Sequence, residues 1–205
     1  TSGGYYKSSV IKQDISKIRD LYFDNGFLKV KVSEPEIELD REDSEMDVTI
    51  HISEGRQYMV DSVSIEGNSD FSTRELEDLI HLKAGEVFSK KTVGADVRAL
   101  TDFYSDRGYA MVSIDPGADP LPGKDAVKVT YRILEGDIFH VGRIEISGNS
   151  KTKDKVIRRE MKLDEGDVFN RSLLKRSYQR LNNLNFFETV QIEPKPRPEE
   201  KLLDI

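Results

Sequence analysis

The sequence has no cysteine. That excludes disulfides, thiolate metal sites and thiol catalysis, and it fits an oxidising compartment whose proteins carry no stray thiols. No apolar run reaches the roughly 18 residues that a bilayer-spanning helix needs. Positive charge is in deficit: 31 Lys and Arg stand against 38 Asp and Glu, a formal net charge of −7. Nucleic acid is therefore not expected as the main partner, because phosphate binding needs a basic stripe. There is no phosphate loop, metal-ligand spacing or catalytic triad. The three histidines, His51, His81 and His140, fall at unrelated positions and read as surface residues, His51 on the outer face of a strand and His81 in the last turn of a helix. Paired carboxylates such as Asp40/Asp43 and Asp164/Glu165 lie in loops or turns with no nucleophile beside them. The expectation is a protein without catalysis, cofactor or metal. No signal peptide is seen, and Thr1-Ser2-Gly3-Gly4 reads as a loop or an expression scar.

What the chain does have is an internal repeat. VSIEGNSDFSTRELEDLIHLKAGEVF, residues 63–88, has the same grammar as RIEISGNSKTKDKVIRREMKLDEGDVF, residues 143–169. Gly67 and Gly148, Gly85 and Gly166, and Phe88 and Phe169 each stand 81 residues apart. Glu54-Gly55 and Glu135-Gly136 keep the same spacing and close successive units. The domains read as 1–55, a partial unit; 56–136, a complete one; and 137–205, a final unit that stops inside its last strand. Units this small barely sustain a core alone, so neighbours are expected to support each other.

Periodicity assigns the elements. Ile11, Ile15, Ile18 and Tyr22 form a helical stripe stopped by Asn25-Gly26. Leu28, Val30 and Val32 alternate with Lys29 and Lys31 in a strand ended by Pro35, and Val48, Ile50 and Ile52 form the next. In the complete unit, Val63 and Ile65 mark a strand. Ser72 and Glu75 form a capping box, with Phe71 placed to staple onto Leu76. Val93, Val97, Leu100 and Tyr104 make a second helix. Tyr109–Asp115, ended by Pro116, and Val127–Ile133 complete the unit as strands. The final unit repeats this with Ile144 and Ile146, then Val156–Met161, then Leu174, Tyr178 and Leu181, but its second helix is about one turn shorter. Asn185 replaces the stopping glycine, being the next best left-handed residue. Phe187–Glu193 follows as a strand, then a proline-rich hairpin (Pro194, Pro196, Pro198) leads to Leu202–Ile205. Phe103, Tyr104, Tyr109, Phe186 and Phe187 read as core. The fold class is α+β: tandem β-α-α-β-β units, each a three-stranded mixed sheet packed on two helices.

GNSKTKDKVIRREMKLDEGDVFN followed by LNNLNFFETV, with FYSDRGYA and LYFDNGF at earlier helix ends, resembles POTRA domains, the polypeptide-transport-associated repeats in front of outer-membrane β-barrels. The resemblance is to those of the BamA family: the back half of the third repeat, the fourth, and most of the fifth. It covers essentially all of the chain after residue 4. It implies a periplasmic scaffold, tethered to the outer membrane through a C-terminal barrel that this sequence does not include. Such a scaffold docks BamD-type and other accessory lipoproteins and receives unfolded outer-membrane protein clients.

The resemblance also implies sites. The second strand of each unit is usually an edge to which an extended client can add. Here that means Leu28, Lys29, Val30, Lys31 and Val32; Tyr109, Met111, Val112 and Ile114; and Phe187–Glu193. Lys29 and Lys31 equally suit an edge defended against pairing. On the final unit, lipoprotein docking maps to Glu165, just before Gly166, with Arg158, Arg159 and Lys162 upstream. The plainer alternative is a solvated helix face and a turn residue. The competing functions are the POTRA region of a two-partner secretion or import-type transporter that translocates clients, or a repeat-built solute or nucleic-acid module, which the charge disfavours.

Overall fold

In the computed structural model, residues 8–40 and 45–205 are described; Thr1–Gly4 and Asp43 lie outside them. The chain divides into two compact units, one of Thr1–Ser64, His81–Asp96 and Pro116–Thr130, the other of Ile65–Ile80, Val97–Asp115 and Tyr131–Ile205.

The first repeat starts with α1 (Ser8–Asp24). Its expected stripe faces inward: Ile15 is buried and Ile11, Ile18 and Tyr22 are half-buried. Gly26, at φ 85, stops it, since only a residue without Cβ adopts that backbone cheaply. A strand over Leu28–Val32 does not form. The Leu28 and Val30 amides donate back to the Gly26 and Phe27 carbonyls (3.1 and 3.2 Å), so Leu28, Lys29 and Val30 belong to a turn. Only Lys31–Val32 (β1) is strand. The hairpin that follows was not foreseen. β2 (Glu36–Asp40) pairs antiparallel with β3 (Glu45–Thr49), and β1 pairs with β4 (Ile52–Ser53). Lys31 opposes Ser53, but Glu36 opposes Thr49, so the register slips by one residue between the two pairs. Pro35, which has no N–H to give, sits in that slip; it marks a bulge and does not end the strand. The same irregularity splits the expected Val48–Ile52 strand.

The middle repeat runs β5 (Met59–Glu66), α2 (Thr73–Glu77), α3 (Lys90–Ser105), β6 (Ser113–Pro120) and β7 (Ala126–Leu134), with sheet order β5-β7-β6. The Ser72 side chain accepts the Glu75 amide, as a capping box requires. Phe71 meets Phe103, Tyr104 and Tyr109 edge to face, at centroid distances of 5.0, 5.1 and 5.8 Å. Leu76, Leu100, Tyr104, Val127, Val129 and Tyr131 are wholly buried. β6 starts four residues later than expected. Tyr109, Met111 and Val112 precede it, because the Tyr109 and Ala110 amides donate to Tyr104 and Gly108, repeating the turn after Gly26. Pro116 lies inside β6, as an edge strand tolerates.

The last repeat runs β8 (His140–Val141), α4 (Asp154–Glu160), α5 (Arg171–Asn183), β9 (Lys195–Arg197) and β10 (Leu202–Asp204). β10 lies in the centre, parallel to β8 and antiparallel to β9, so the sheet is mixed. Ladder bonds continue β8 to Glu145, whose amide donates to Ile205 (2.8 Å). Phe187–Glu193 is not a strand. A strand exists only where a neighbour takes its hydrogen bonds, and within this sequence β10 reaches only Lys195–Arg197. Asn185 takes the left-handed conformation, φ 53. One core assignment fails, Phe186 being 63% exposed, and Tyr178 of the expected helical stripe is 42% exposed. The inward face of α5 is carried by Ser177 and Leu181 instead.

Successive repeats meet through one joint made twice. The Gly26 carbonyl accepts the Tyr58 amide (2.9 Å), and the Gly108 carbonyl accepts the Phe139 amide (2.8 Å). The Asp24 carboxylate accepts the Lys91 amide in the first turn of α3 (2.7 Å). Asp106 likewise accepts the Ser172 amide and hydroxyl in the first turn of α5 (both 2.7 Å). Ion pairs flank each contact, Lys90 with Asp20 at 2.9 Å and Arg171 with Asp102 at 3.6 Å. A carboxylate at a helix N-terminus satisfies free amides and opposes the helix dipole. Each joint is therefore a lock between defined groups.

Candidate functional site

The residues expected to dock a partner surround α4. Its first turn carries Asp154, and Ile157 and Glu160 are buried. Glu160 is held by Arg180, which donates from two nitrogens to one carboxylate oxygen (2.9 and 2.6 Å), and by Arg159 at 3.3 Å. The Arg180 bonds first, then Arg159, keep the Glu160 carboxyl below the usual carboxylate range. Arg180 was missed in the sequence because nothing in the α5 pattern distinguishes it from other surface arginines.

Glu165 and Arg158 are not simple surface charges. The Glu165 carboxylate accepts the Ile144 amide (3.0 Å), and Arg158 donates to the Ile144 carbonyl (2.7 Å) and to Glu165 (3.4 Å). The Ile144 amide, with Arg158 as the second cause, holds the Glu165 carboxyl below its ordinary range. Both side chains are still about half exposed, 47% and 49%. Arg159 is 73% exposed, and the Lys162 side chain is exposed while its amide donates to Ser177 (2.8 Å). The four docking candidates thus separate into a pair tied to the strand of its own repeat and a pair facing water.

The strand-pairing candidates also divide. Leu28, Lys29, Val30, Tyr109, Met111 and Val112 lie in turns, while Lys31, Val32 and Ile114 lie in strands. β6, which holds Ile114, is an outer strand of its sheet. Its prolines Pro116 and Pro120 cannot donate to an added strand. The histidines do not converge: His51 is exposed, 3.6 Å from Glu36, and the His81 ring lies 3.1 Å from Asp96, beyond the end of α2. A groove of about 540 Å³ in the last repeat is floored by Ile144, Ile157, Met161 and Leu181 and walled by residues 189–193. The joint carboxylates Asp24 and Asp106 were also overlooked, although Asp-x-Gly recurs at both helix ends and was available as a signal.

Comparison with known proteins agrees with this architecture. The model of the POTRA family, described as the surface antigen variable number repeat, matches residues 1–55, 58–136 and 139–205. The chain is 28% identical, over its whole length and 26% of the relative's, to the outer membrane protein assembly factor BamA of Nitratidesulfovibrio vulgaris. It is 29% identical to BamA of Neisseria meningitidis over 96% of this chain and 25% of that one. It therefore spans about a quarter of the length of the curated relatives it matches. The crystal structure of Haemophilus influenzae BamA POTRA3-5 superposes with a TM-score of 0.84 at 27% identity, covering 98% of this chain and 80% of that one. BamA of Haemophilus ducreyi lacking POTRA domains 1-3 superposes with a TM-score of 0.64 at 26% identity, over 72% of this chain and 28% of that one. With three matched repeats that together span nearly all of it, and with the β-α-α-β-β sheet order in its middle and last repeats, the chain belongs to the POTRA family.

Proposed function

We propose that this chain is the membrane-proximal part of a periplasmic scaffold for outer-membrane protein assembly. It would be tethered through a C-terminal barrel, dock BamD-type accessory lipoproteins on its last repeat, and receive unfolded clients by strand addition. The observation that carries the proposal is the likeness to BamA POTRA3-5, which extends over 98% of the chain. It favours assembly over the transporter-type alternative. The hydrogen-bonded joints between repeats suit a scaffold, and no catalytic step is assigned to it.

The split among the docking candidates sharpens the interface. Glu165 and Arg158 are tied to the Ile144 backbone, so the more available charges are Lys162 and Arg159, the latter 73% exposed although its Nε lies 3.3 Å from Glu160. The partner surface is then acidic. Exposed charges of this kind set the rate and specificity of association more than its strength. The test is a titration of this chain against the BamD-type lipoprotein of the same organism, comparing wild type with the double variant Arg159→Glu/Lys162→Glu. Roughly tenfold weaker binding, chiefly through slower association at low salt, is expected. Unchanged affinity and salt dependence would remove the docking site from α4.

A further inference from the structure

The outer edge of β8 is closed in an unusual way. The Gly142 amide donates to Leu203, the Arg143 carbonyl accepts Ile205, and the Glu145 amide donates to Ile205 (2.8, 2.9 and 2.8 Å). Residues on both sides of Ile144 therefore face β10, and the amide and carbonyl of Ile144 face away from the sheet. Three residues earlier, Val141 also faces outward. Its amide donates to Asp167 (2.7 Å) and its carbonyl accepts Gly166 (2.8 Å), with His140 bridged antiparallel to Val168. The loop after α4 thus covers Val141 with main chain, as a neighbouring strand would. At Ile144 the cover changes from main chain to side chains: Glu165 takes the amide and Arg158 serves the carbonyl.

In an antiparallel ladder, a hydrogen-bonded residue pair exchanges both of its N–H···O bonds. A carboxylate that accepts one and a guanidinium that supplies the other reproduce that exchange with two side chains. We infer that Arg158 and Glu165 form a removable cap on a latent strand-pairing edge at Ile144, and that the occupant they exclude is an extended polypeptide segment. An extended backbone offers an acceptor and a donor at that spacing, as the main chain of residues 166–167 does at Val141. An edge left open invites indiscriminate pairing, so a cap of this kind is a form of protection. Because both side chains are half exposed, a partner that engages them competes with Ile144 and frees the edge. In the middle repeat the residues 81 positions earlier are Glu77 and Ala84, an acid and a methyl group, which cannot build the cap. It is a feature of the last repeat.

This inference rests on the strand-addition reading, and the test separates the two. Amide hydrogen exchange and backbone NMR would be recorded for the 205-residue chain and for Arg158→Ala/Glu165→Ala. Each would then be titrated with a synthetic ten-residue peptide of alternating valine and threonine with lysine ends. Exchange at Ile144 should accelerate roughly tenfold in the variant while Val141 and Leu203 stay protected. The peptide should bind the variant about tenfold more tightly, with shifts confined to residues 143–146. If Ile144 exchanges at the wild-type rate, or both proteins bind the peptide equally at this edge, the cap is wrong. Peptide pairing only on other strands overturns the cap and leaves strand addition standing; pairing nowhere overturns both. Should the double variant lose protection at Val141, showing that it has unfolded, Glu165→Gln decides the same question with a milder change.

Discussion

The middle and last repeats solve the same local problem with different groups. In the middle repeat the residues after α2 turn inward, and the buried Asp96 carboxylate takes two amides, His81 at 2.8 Å and Leu82 at 3.1 Å. In the last repeat the residue 81 places on is Ser177. Its hydroxyl accepts the Lys162 amide (2.8 Å) and donates to the Leu173 carbonyl (2.9 Å). Left-handed glycines of the middle repeat differ in their surroundings as well. A Cβ on Gly67 would run into the Ile133 carbonyl oxygen, whereas one on Gly85 meets nothing within 4 Å. The difference shows that a repeat conserves the shape of a contact more strictly than its chemistry.

The strongest test of that contrast is a pair of identical substitutions. Gly67→Ala should cost about 3 kcal/mol, the left-handed penalty plus overpacking against backbone that cannot move aside. Gly85→Ala, where a Cβ meets nothing within 4 Å, should cost only about 1 kcal/mol, because the backbone penalty stands alone. Urea unfolding of both variants measures this, and equal losses would contradict the difference in packing. Next comes the polar clip. Asp96→Ala strands two amides beside a carboxylate site and should cost about 3 kcal/mol, against about 1 kcal/mol for Ser177→Ala. The reverse order in thermal unfolding would show that the extra charge at Asp96 is not stabilising.

The smallest effect separates the repeats by pH. In the last repeat Glu160, Glu165 and Asp204 are held below their ordinary values of 4.5, 4.5 and 3.8, chiefly by Arg180, by the Ile144 amide and by the Arg143 amide in turn. Groups with depressed folded values contribute stability that is present above those ordinary values and lost as pH falls through the folded ones. In the middle repeat the signs reverse. The Tyr109 hydroxyl is pushed up from 10.0 to about 12, first by its bond to Asp70, and Tyr104 is raised further, first by burial. The Tyr109 contribution is complete below pH 10.0 and lost as pH rises through about 12, and that of Tyr104 is lost at higher pH still. Residue-resolved exchange across pH should therefore show the last repeat loosening first in acid and the middle repeat first in alkali. Simultaneous loosening at both ends of the range would mean that these groups do not decide local stability.

Much of the architecture was legible along the chain because it rests on local rules. Ser72 before Glu75, Asn25-Gly26 after a helical stripe, and Asn185 in place of glycine each announce a backbone conformation within a few residues. Strand limits were less legible. Leu28–Val30 and Tyr109–Val112 alternate as strands do, but the glycine before each lets the chain fold back and spend its amides locally. Phe187–Glu193 alternates as a strand does, but within this sequence β10 reaches only Lys195–Arg197. The candidate docking residues could be placed on α4 and its following turn, but not their orientation. That Glu165 and Arg158 reach a backbone 21 and 14 residues upstream depends on strand packing.

The sequence alone determined the period, the order of elements within each repeat, the family and the absence of thiol chemistry, because each follows from residue identity and short-range spacing. Only the tertiary structure decided which strands are edges, which of them are closed, and which charged residues are tied up within their own repeat. Those properties depend on hydrogen bonds between residues far apart in the chain, and a backbone amide looks the same in every sequence until a neighbour takes it or leaves it free.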